Sequence, residues 1–356
     1  MKRLFLFGIL LGLSLSTVSG ALAQSFPITD VRALGMGGAF VAAGEGIGAV
    51  GQNPALLGKN STIGVVLPEV ILRMEDHIGL RDLVDDLNDL GPANPDAIQV
   101  LDRLSEGGSL DLQAGGSIGA GFGIFGISAG VTYSRMIYGI AMPANISTDL
   151  ADLPDDGFNT LQYNAVDAQQ LIFTGAKSFG DMVFGANLRP IDATLYRNER
   201  WLFDDPEMEI GDFTEGDKSE ESATALDLGA FVNLLPMFDI GVVALNVNGP
   251  KLGEVEFDPR YRIGAALNLP VLTLAADLDV NETSLENGAD YREWSLGAEF
   301  DIWAVALRAG LSRNSSLSGA PTMIHLGLGL GFLDLGAAYA EEGDYYLAGV
   351  NLALGF

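Results

Sequence analysis

Leu272-Thr273-Leu274-Ala275-Ala276-Asp277-Leu278-Asp279-Val280 alternates two kinds of residue with a period of two. Leu272, Leu274, Ala276, Leu278 and Val280 form one set, and Thr273, Ala275, Asp277 and Asp279 the other. In a strand the two sets face opposite sides. The pattern recurs. Trp294, Leu296, Ala298 and Phe300 alternate with Glu293, Ser295, Gly297 and Glu299, and Ile324, Leu326, Leu328 and Leu330 with His325, Gly327 and Gly329. One face is apolar throughout and the other small or polar. A soluble sandwich also alternates, but its polar face is rich in Lys, Glu and Thr. Gly, Ala, Asn and Asp on the second face, with 46 glycines in the chain, suit the crowded interior of a membrane barrel whose outside meets lipid.

Composition agrees. The formal charge is −28, yet the mean hydropathy is +0.26, so acid and apolar residues must be segregated. The acidic balance speaks against a nucleic-acid partner, which needs a basic face. Cys is absent, so stability must come from a source other than disulfides, such as the closed hydrogen-bond ladder of a barrel. No cofactor motif is evident. Residues 1–23 read as a signal peptide: Lys2 and Arg3, an apolar run from Leu4 to Val18, and a small-x-small site at Ala21-Leu22-Ala23. The competing reading is a membrane anchor, for which the run is short. Loss of Lys2 and Arg3 would take the charge from −28 to −30.

Fourteen strands are expected, near 60–74, 109–121, 123–140, 160–178, 181–198, 222–235, 237–248, 258–269, 271–281, 290–300, 302–312, 321–330, 332–340 and 345–356. Links after even-numbered strands are very short and those after odd-numbered strands mostly longer. Bacterial outer-membrane barrels have short periplasmic turns, longer outer loops and an even strand number. The expectation is an all-β, 14-stranded antiparallel transmembrane barrel in the bacterial outer membrane, with its lipid as a partner and both termini periplasmic. Segment 75–108 holds nine acids against Arg81 and Arg103, and 199–221 holds ten against Arg200 and Lys218. The excess charge therefore falls in the outer loops. Carboxylates there could bind Ca²⁺, but no twelve-residue loop signature is present, so no metal site is assigned. Helical spacing at Ile78, Leu80, Leu83, Val84, Leu87, Leu90 and then Ile98, Leu101, Leu104 predicts two short amphipathic helices over the barrel mouth.

Before the first strand, Arg32-Ala33-Leu34-Gly35-Met36-Gly37-Gly38-Ala39-Phe40 leads to Gly51-Gln52-Asn53-Pro54-Ala55-Leu56-Leu57. This small, apolar segment has no place on the lipid face, so residues 24–58 are expected to fill the lumen as a hatch, with the barrel over 59–356. Gly35-Met36-Gly37-Gly38 follows no strand of a βαβ unit and is not read as a nucleotide loop. Charged or polar lumen candidates are Arg189, Asp227, Arg262, Asp277, Asp279, Glu293, Glu299, Arg308 and His325. Their mixed signs imply mutual pairing and bonding to the hatch; a substrate path is the alternative. The two His, His77 and His325, belong to no Ser-His-acid set, so enzyme activity is not expected. Gly121, Gly123, Gly126 and Gly130 could let the third strand kink and open a side exit.

Asn53-Pro54-Ala55 and the Gly-rich hatch resemble the FadL-like superfamily of outer-membrane hydrophobic-compound and fatty-acid channels. The opening Arg32-Ala33-Leu34-Gly35-Met36-Gly37-Gly38 and the acidic helical segment 75–106 look closer to its TraF-type conjugal transfer branch. The resemblance implies that Asn53, Pro54 and Ala55 fix the hatch to the wall. The terminal strand ending in Phe356 resembles the signal read by the barrel-assembly machinery, which the resemblance makes a partner. It implies a plugged channel for passive uptake of small hydrophobic or amphipathic molecules. The alternative is a structural barrel of a conjugation or secretion apparatus without transport.

Overall fold

A computed structural model describes residues 30–59, 63–76, 79–105, 109–149, 151–153, 157–204, 212–253, 255–284, 290–316, 320–340 and 345–355. The signal peptide 1–23, residues 24–29, His77 and Phe356 lie outside these described residues. No helix among them is long and apolar enough to cross a membrane. The membrane-spanning unit is instead a closed antiparallel barrel of fourteen strands, each paired with its sequence neighbours and the first with the last. They are β1 (Gly64–Asp76), β2 (Leu110–Ile124), β3 (Ile127–Ala144), β4 (Thr160–Phe179), β5 (Met182–Trp201), β6 (Asp217–Leu235) and β7 (Phe238–Leu245). The circuit continues with β8 (Arg260–Leu269), β9 (Leu272–Asp279), β10 (Glu293–Ile302), β11 (Val305–Asn314), β12 (Met323–Leu330), β13 (Leu333–Ala340) and β14 (Tyr345–Gly355). Two-residue turns join the strands at one end of the barrel, hereafter the turn end, and longer connections join them at the other, the loop end.

The strands outrun their expected limits where the apolar alternation stops. β5 continues to Trp201 and β6 begins at Asp217, so the acids from Asp217 to Glu221 lie in a strand rather than a loop. Backbone pairing needs no apolar side chain once the wall has left the lipid. The wall is accordingly uneven: β3 to β6 have 18 to 20 residues, whereas β7 to β13 have 8 to 10.

Two helices do form in the first loop, α2 (Leu80–Leu90) and α3 (Ala97–Ser105), after the short α1 (Val31–Gly35) of the N-terminal segment. They do not cover the mouth. Leu80, Leu83, Val84, Leu87, Leu101 and Leu104 pack with Leu110, Ala141, Leu161, Tyr163, Ala165 and Phe213. Tyr163 and Leu161 share a strand face with exposed Leu171 and Phe173, since the β3–β4 ladder has no register shift. That is the outer face of the wall. The helices therefore clad the tall half-wall from outside and leave Asp82, Asp85, Asp86 and Asp89 exposed.

β3 does not kink. Its ladder with β2 is unbroken from Leu110↔Ala141 to Ile124↔Ile127. Gly121 and Gly130 pair with one another and receive the side chains of Leu57 and Ile47, while Gly126 occupies the turn with φ +73. The irregularities are at the end of β6, between Asn233 and Leu235, and in β1, where both ladders shift register after Val66. One extra residue there, beside Pro68, is a β-bulge.

Removing the buried Leu87 side chain (Leu87→Ala) is expected to cost about 2–5 kcal/mol of helix docking. Hydrogen exchange should show α2 and α3 losing protection while β8 to β13 keep theirs.

Candidate functional site

The lumen is built in three layers. The lowest, toward the turn end, holds residues 30–59. Ala33, Met36, Phe40, Val50, Ala55 and Leu56 form one core with Ile172, Ala176, Val183, Phe231, Ala266 and Ala275 of the wall. Asn53, wholly buried, precedes a 3-10 turn at Pro54–Gly58. Its Oδ1 accepts from Ala55 N at 3.0 Å, and its Nδ2 donates to Val41 O at 3.0 Å and to Ala230 O at 3.2 Å. Pro54 suits the first helical position, where no N–H is needed. The wall meets this corner with glycine. A Cβ on Gly185 would lie 2.4 Å from Ala55 N, and one on Gly229 2.0 Å from Asn53 Oδ1. Asn53, Pro54 and Ala55 thus dock through their backbone and one amide on β5 and β6.

Wall residues hold the rest of the segment. Asp277 Oδ2 accepts from Phe40 N at 2.8 Å and Val41 N at 2.9 Å. Glu299 receives Arg32 at 2.7 Å and 2.5 Å, and Arg308 at 2.5 Å. Arg308 also donates to Asp334. Arg262 pairs with Glu293 at 2.9 Å and donates to Ser295 at 2.7 Å. Asp279 pairs with Arg260 at 2.8 Å. His325 Nδ1 lies 3.0 Å from Leu34 O and its Nε2 2.9 Å from Ser312 Oγ. Because a carbonyl only accepts, the proton sits on Nδ1, and Ser312 donates to Nε2. The third partner of this Ser-His pair is a backbone carbonyl rather than an acid, and the pair ties α1 to the wall. Burial pushes the Asp30 carboxyl at the start of α1 up from its ordinary value, and Arg32 partly offsets this.

The middle layer is a polar belt on β4 to β6. Arg189 forms a two-pronged pair with Asp227, at 2.7 Å and 3.0 Å, and donates to Gln170 at 3.2 Å and Asn246 at 2.6 Å. Asn187 bridges downward, donating to Val50 O at 2.9 Å and Asp227 at 3.1 Å. Asn246 opens the β7–β8 connection and returns its N–H to Asp227 at 3.0 Å.

The top layer inverts the polarity of the inner face. On the inner sides of β3 to β6, Tyr138, Ile140, Val166, Ala168, Ile191, Ala193 and Ala225 make an apolar patch. Leu252 and Phe257 of the β7–β8 connection, each 1% exposed, cover it. The belt thus anchors a strap at Asn246, and the strap lays two apolar side chains on the patch.

All the lumen candidates read from the sequence face inward. They form separate groups: Arg189 with Asp227 in the belt, and Arg262, Asp277, Asp279, Glu293, Glu299, Arg308 and His325 beside the hatch. Sequence reading missed Glu69, which accepts from Val31 N at 2.5 Å and Ser117 Oγ at 3.1 Å. It also missed the patch and its strap. Inward Ile191, Ala193 and Leu195, where polar residues were due, were the available signal. Among the described residues no three metal-ligating side chains converge to hold an ion.

Asn53→Ala is expected to cost about 1–2 kcal/mol through loss of the cap, read as faster exchange of the Ala55 amide. Asp227→Ala strands Arg189 and should cost about 3–5 kcal/mol, whereas Arg189→Met with Asp227→Leu should recover most of it. Denaturant unfolding, with proteolysis of residues 246–259, measures both.

Solved structures share this fold. A TodX deltaS2S3 mutant monoaromatic hydrocarbon channel superposes with a TM-score of 0.61 at 11% identity, over 92% of this chain and 98% of that one. The CymD monoaromatic hydrocarbon channel gives 0.60 at 13% identity, over 93% and 97%. The Ralstonia pickettii toluene transporter TbuX gives 0.60 at 11% identity, over 92% and 97%. No curated protein matches the sequence. A family profile does, over residues 50–279, from the last part of the hatch through nine of the barrel strands. By that match the chain belongs to the family described as F plasmid transfer operon, TraF, protein.

Proposed function

We propose that this barrel is a plugged channel of the bacterial outer membrane that takes up small hydrophobic or amphipathic molecules passively. The layered lumen carries the reading. A molecule arriving at the loop end meets an apolar patch inside a wall whose outer face there is polar, as at Arg135–Asp167, paired at 2.6 Å. Burying apolar surface draws such a molecule in at about 25 cal/mol per Å². Beneath it the Arg189–Asp227 belt and then the hatch stand in the path. Leu252 and Phe257 occupy the patch, so entry requires the strap to lift. Release past the hatch requires residues around Asn53-Pro54-Ala55 to shift. The fold shared with hydrocarbon channels and a toluene transporter supports the same reading.

In this account residues 1–23 are removed on export and the hatch runs from residue 24 to 58. The strand that ends at Phe356 is the one offered to the barrel-assembly machinery. The carrying test is flux of a monoaromatic hydrocarbon into proteoliposomes. Flux should increase on deletion of residues 24–58, and again with Leu252→Ala and Phe257→Ala. Equal flux with and without the hatch would sink the proposal.

The family match favours a second reading, a structural barrel within a conjugation or secretion apparatus. The acidic outer surface of α2 would then be a contact face. Cross-linking in native membranes separates the two: recovery of the barrel alone speaks against a scaffold.

A further inference from the structure

The turn end carries large apolar side chains at its tips. Phe125 is 93% exposed and Trp303 fully so, and Phe179, Phe332, Leu235 and Val271 are exposed at the other turns. Phe125 and Trp303 also have positive φ, 50 and 59, a backbone region that is an outlier for bulky residues. Such a hairpin turn favours Asn-Gly. Here an aromatic residue is held in an unfavourable backbone conformation with its side chain pointing away from the protein.

The height of the outer face explains it. On β3 the outward residues are apolar only from the turn to Val131 and Tyr133, after which Arg135 pairs with Asp167 of β4. Eight residues from Phe125 to Tyr133, at about 3.4 Å each, give about 27 Å along the strand. A tilt of about 40° reduces this to about 20 Å of height, short of the apolar band of about 25 Å that outer-membrane barrels present. Even with the turn residue Phe125 counted the band is short, so the turns must lie within it rather than project beyond it. Other strands agree. Outward positions run from Phe179 to Leu171 before Gln169 with Lys177 as the one charge, and are apolar from Leu234 to Leu226 before Thr224 and from Ile302 to Trp294. Tyr133, Tyr261, Trp294 and Tyr339 mark the upper edge. The charges at the lower edge are few: Lys177, whose ammonium lies 5.8 Å from the Phe179 ring, Asp181 and Asp301.

We propose that the turn end is a lipid-contact rim, with Phe125, Phe179, Trp303 and Phe332 seated at the headgroup–acyl boundary of one leaflet. The turns are embedded there instead of projecting into water. Aromatic side chains favour that boundary, and Lys177 reaches its phosphates while its stem stays apolar. This rests on the membrane barrel alone and is independent of transport.

The test uses the only reporter left after Trp201→Phe and Trp294→Phe, which is Trp303. The protein is refolded into phosphatidylcholine vesicles brominated high on the acyl chain, near the headgroups, or deep, near its end. Trp303 emission should be blue-shifted, quenched several-fold more by shallow than by deep bromine, and unaffected by aqueous iodide. The difference spectrum between the natural chain and Trp303→Phe gives the same reading if the double variant does not fold. Iodide quenching without bromolipid quenching would overturn the proposal and leave the turns in water, free for a protein partner. Stronger quenching by deep bromine would also overturn it, placing the rim in hydrocarbon.

Discussion

A polar side chain inside a closed wall must find a partner, because no bulk water reaches it. In this barrel the N-terminal segment is that partner. Asp277, Glu299, His325, Asn187 and Glu69 each bond a backbone or side-chain group of residues 30–59. The hatch in turn leaves few of its own groups to solvent, since Asn53 satisfies Val41 O and Asp30 caps α1. Wall and hatch therefore complete one another, and the glycines of β5 and β6 set how near they come. The same contacts fill the lumen toward the turn end.

Vertical order then follows from a change of phase in the strands. Near the turn end, lipid requires apolar residues outside and the hatch accepts polar ones inside. Above Arg135 and Asp167 the outside is polar or covered by α2 and α3, and the inside carries the apolar patch on β3 to β6 beside buried Gln162 and Asn164. One strand, β5, passes through both regimes: Asn187 and Arg189 face the hatch and the belt, and Ile191 and Ala193 face the patch. Its inward face thus follows the order of the three lumen layers.

Most of the wall was legible because lipid imposes a period of two, and short turns alternating with long connections fixed fourteen strands. The inward charges near Asp277 and Glu299 were legible for the same reason. The upper limits of β5 and β6 were not, since a strand in water keeps its ladder but loses its apolar signature. The docking of α2 and α3 on the outer face was not either. Their amphipathic spacing says that one side is buried, not against which surface. Leu252 and Phe257 lie in a connection without periodicity, so only the fold brings them to the patch. The β1 bulge lies beside Pro68, which has no N–H for the ladder, but Pro143 and Pro190 sit inside β3 and β5 without a register shift, so proline alone did not mark it.

That bulge has a bearing on how the circle closes. β1 exchanges its two faces between Val66 and Glu69, near the middle of its span, whereas the shift in β6 falls at its last residues. The extra residue is what turns the Glu69 carboxylate toward α1, while Val70 and Leu72 meet lipid. β1 is also the strand that receives β14 at the seam. The seam between the first and last strands of the chain is thus made by a strand that counts its residues differently on either side of its middle. In a ladder without that bulge the same sequence would turn the Glu69 carboxylate outward into the membrane, so the barrel's inside and outside are defined at its seam by length as much as by composition.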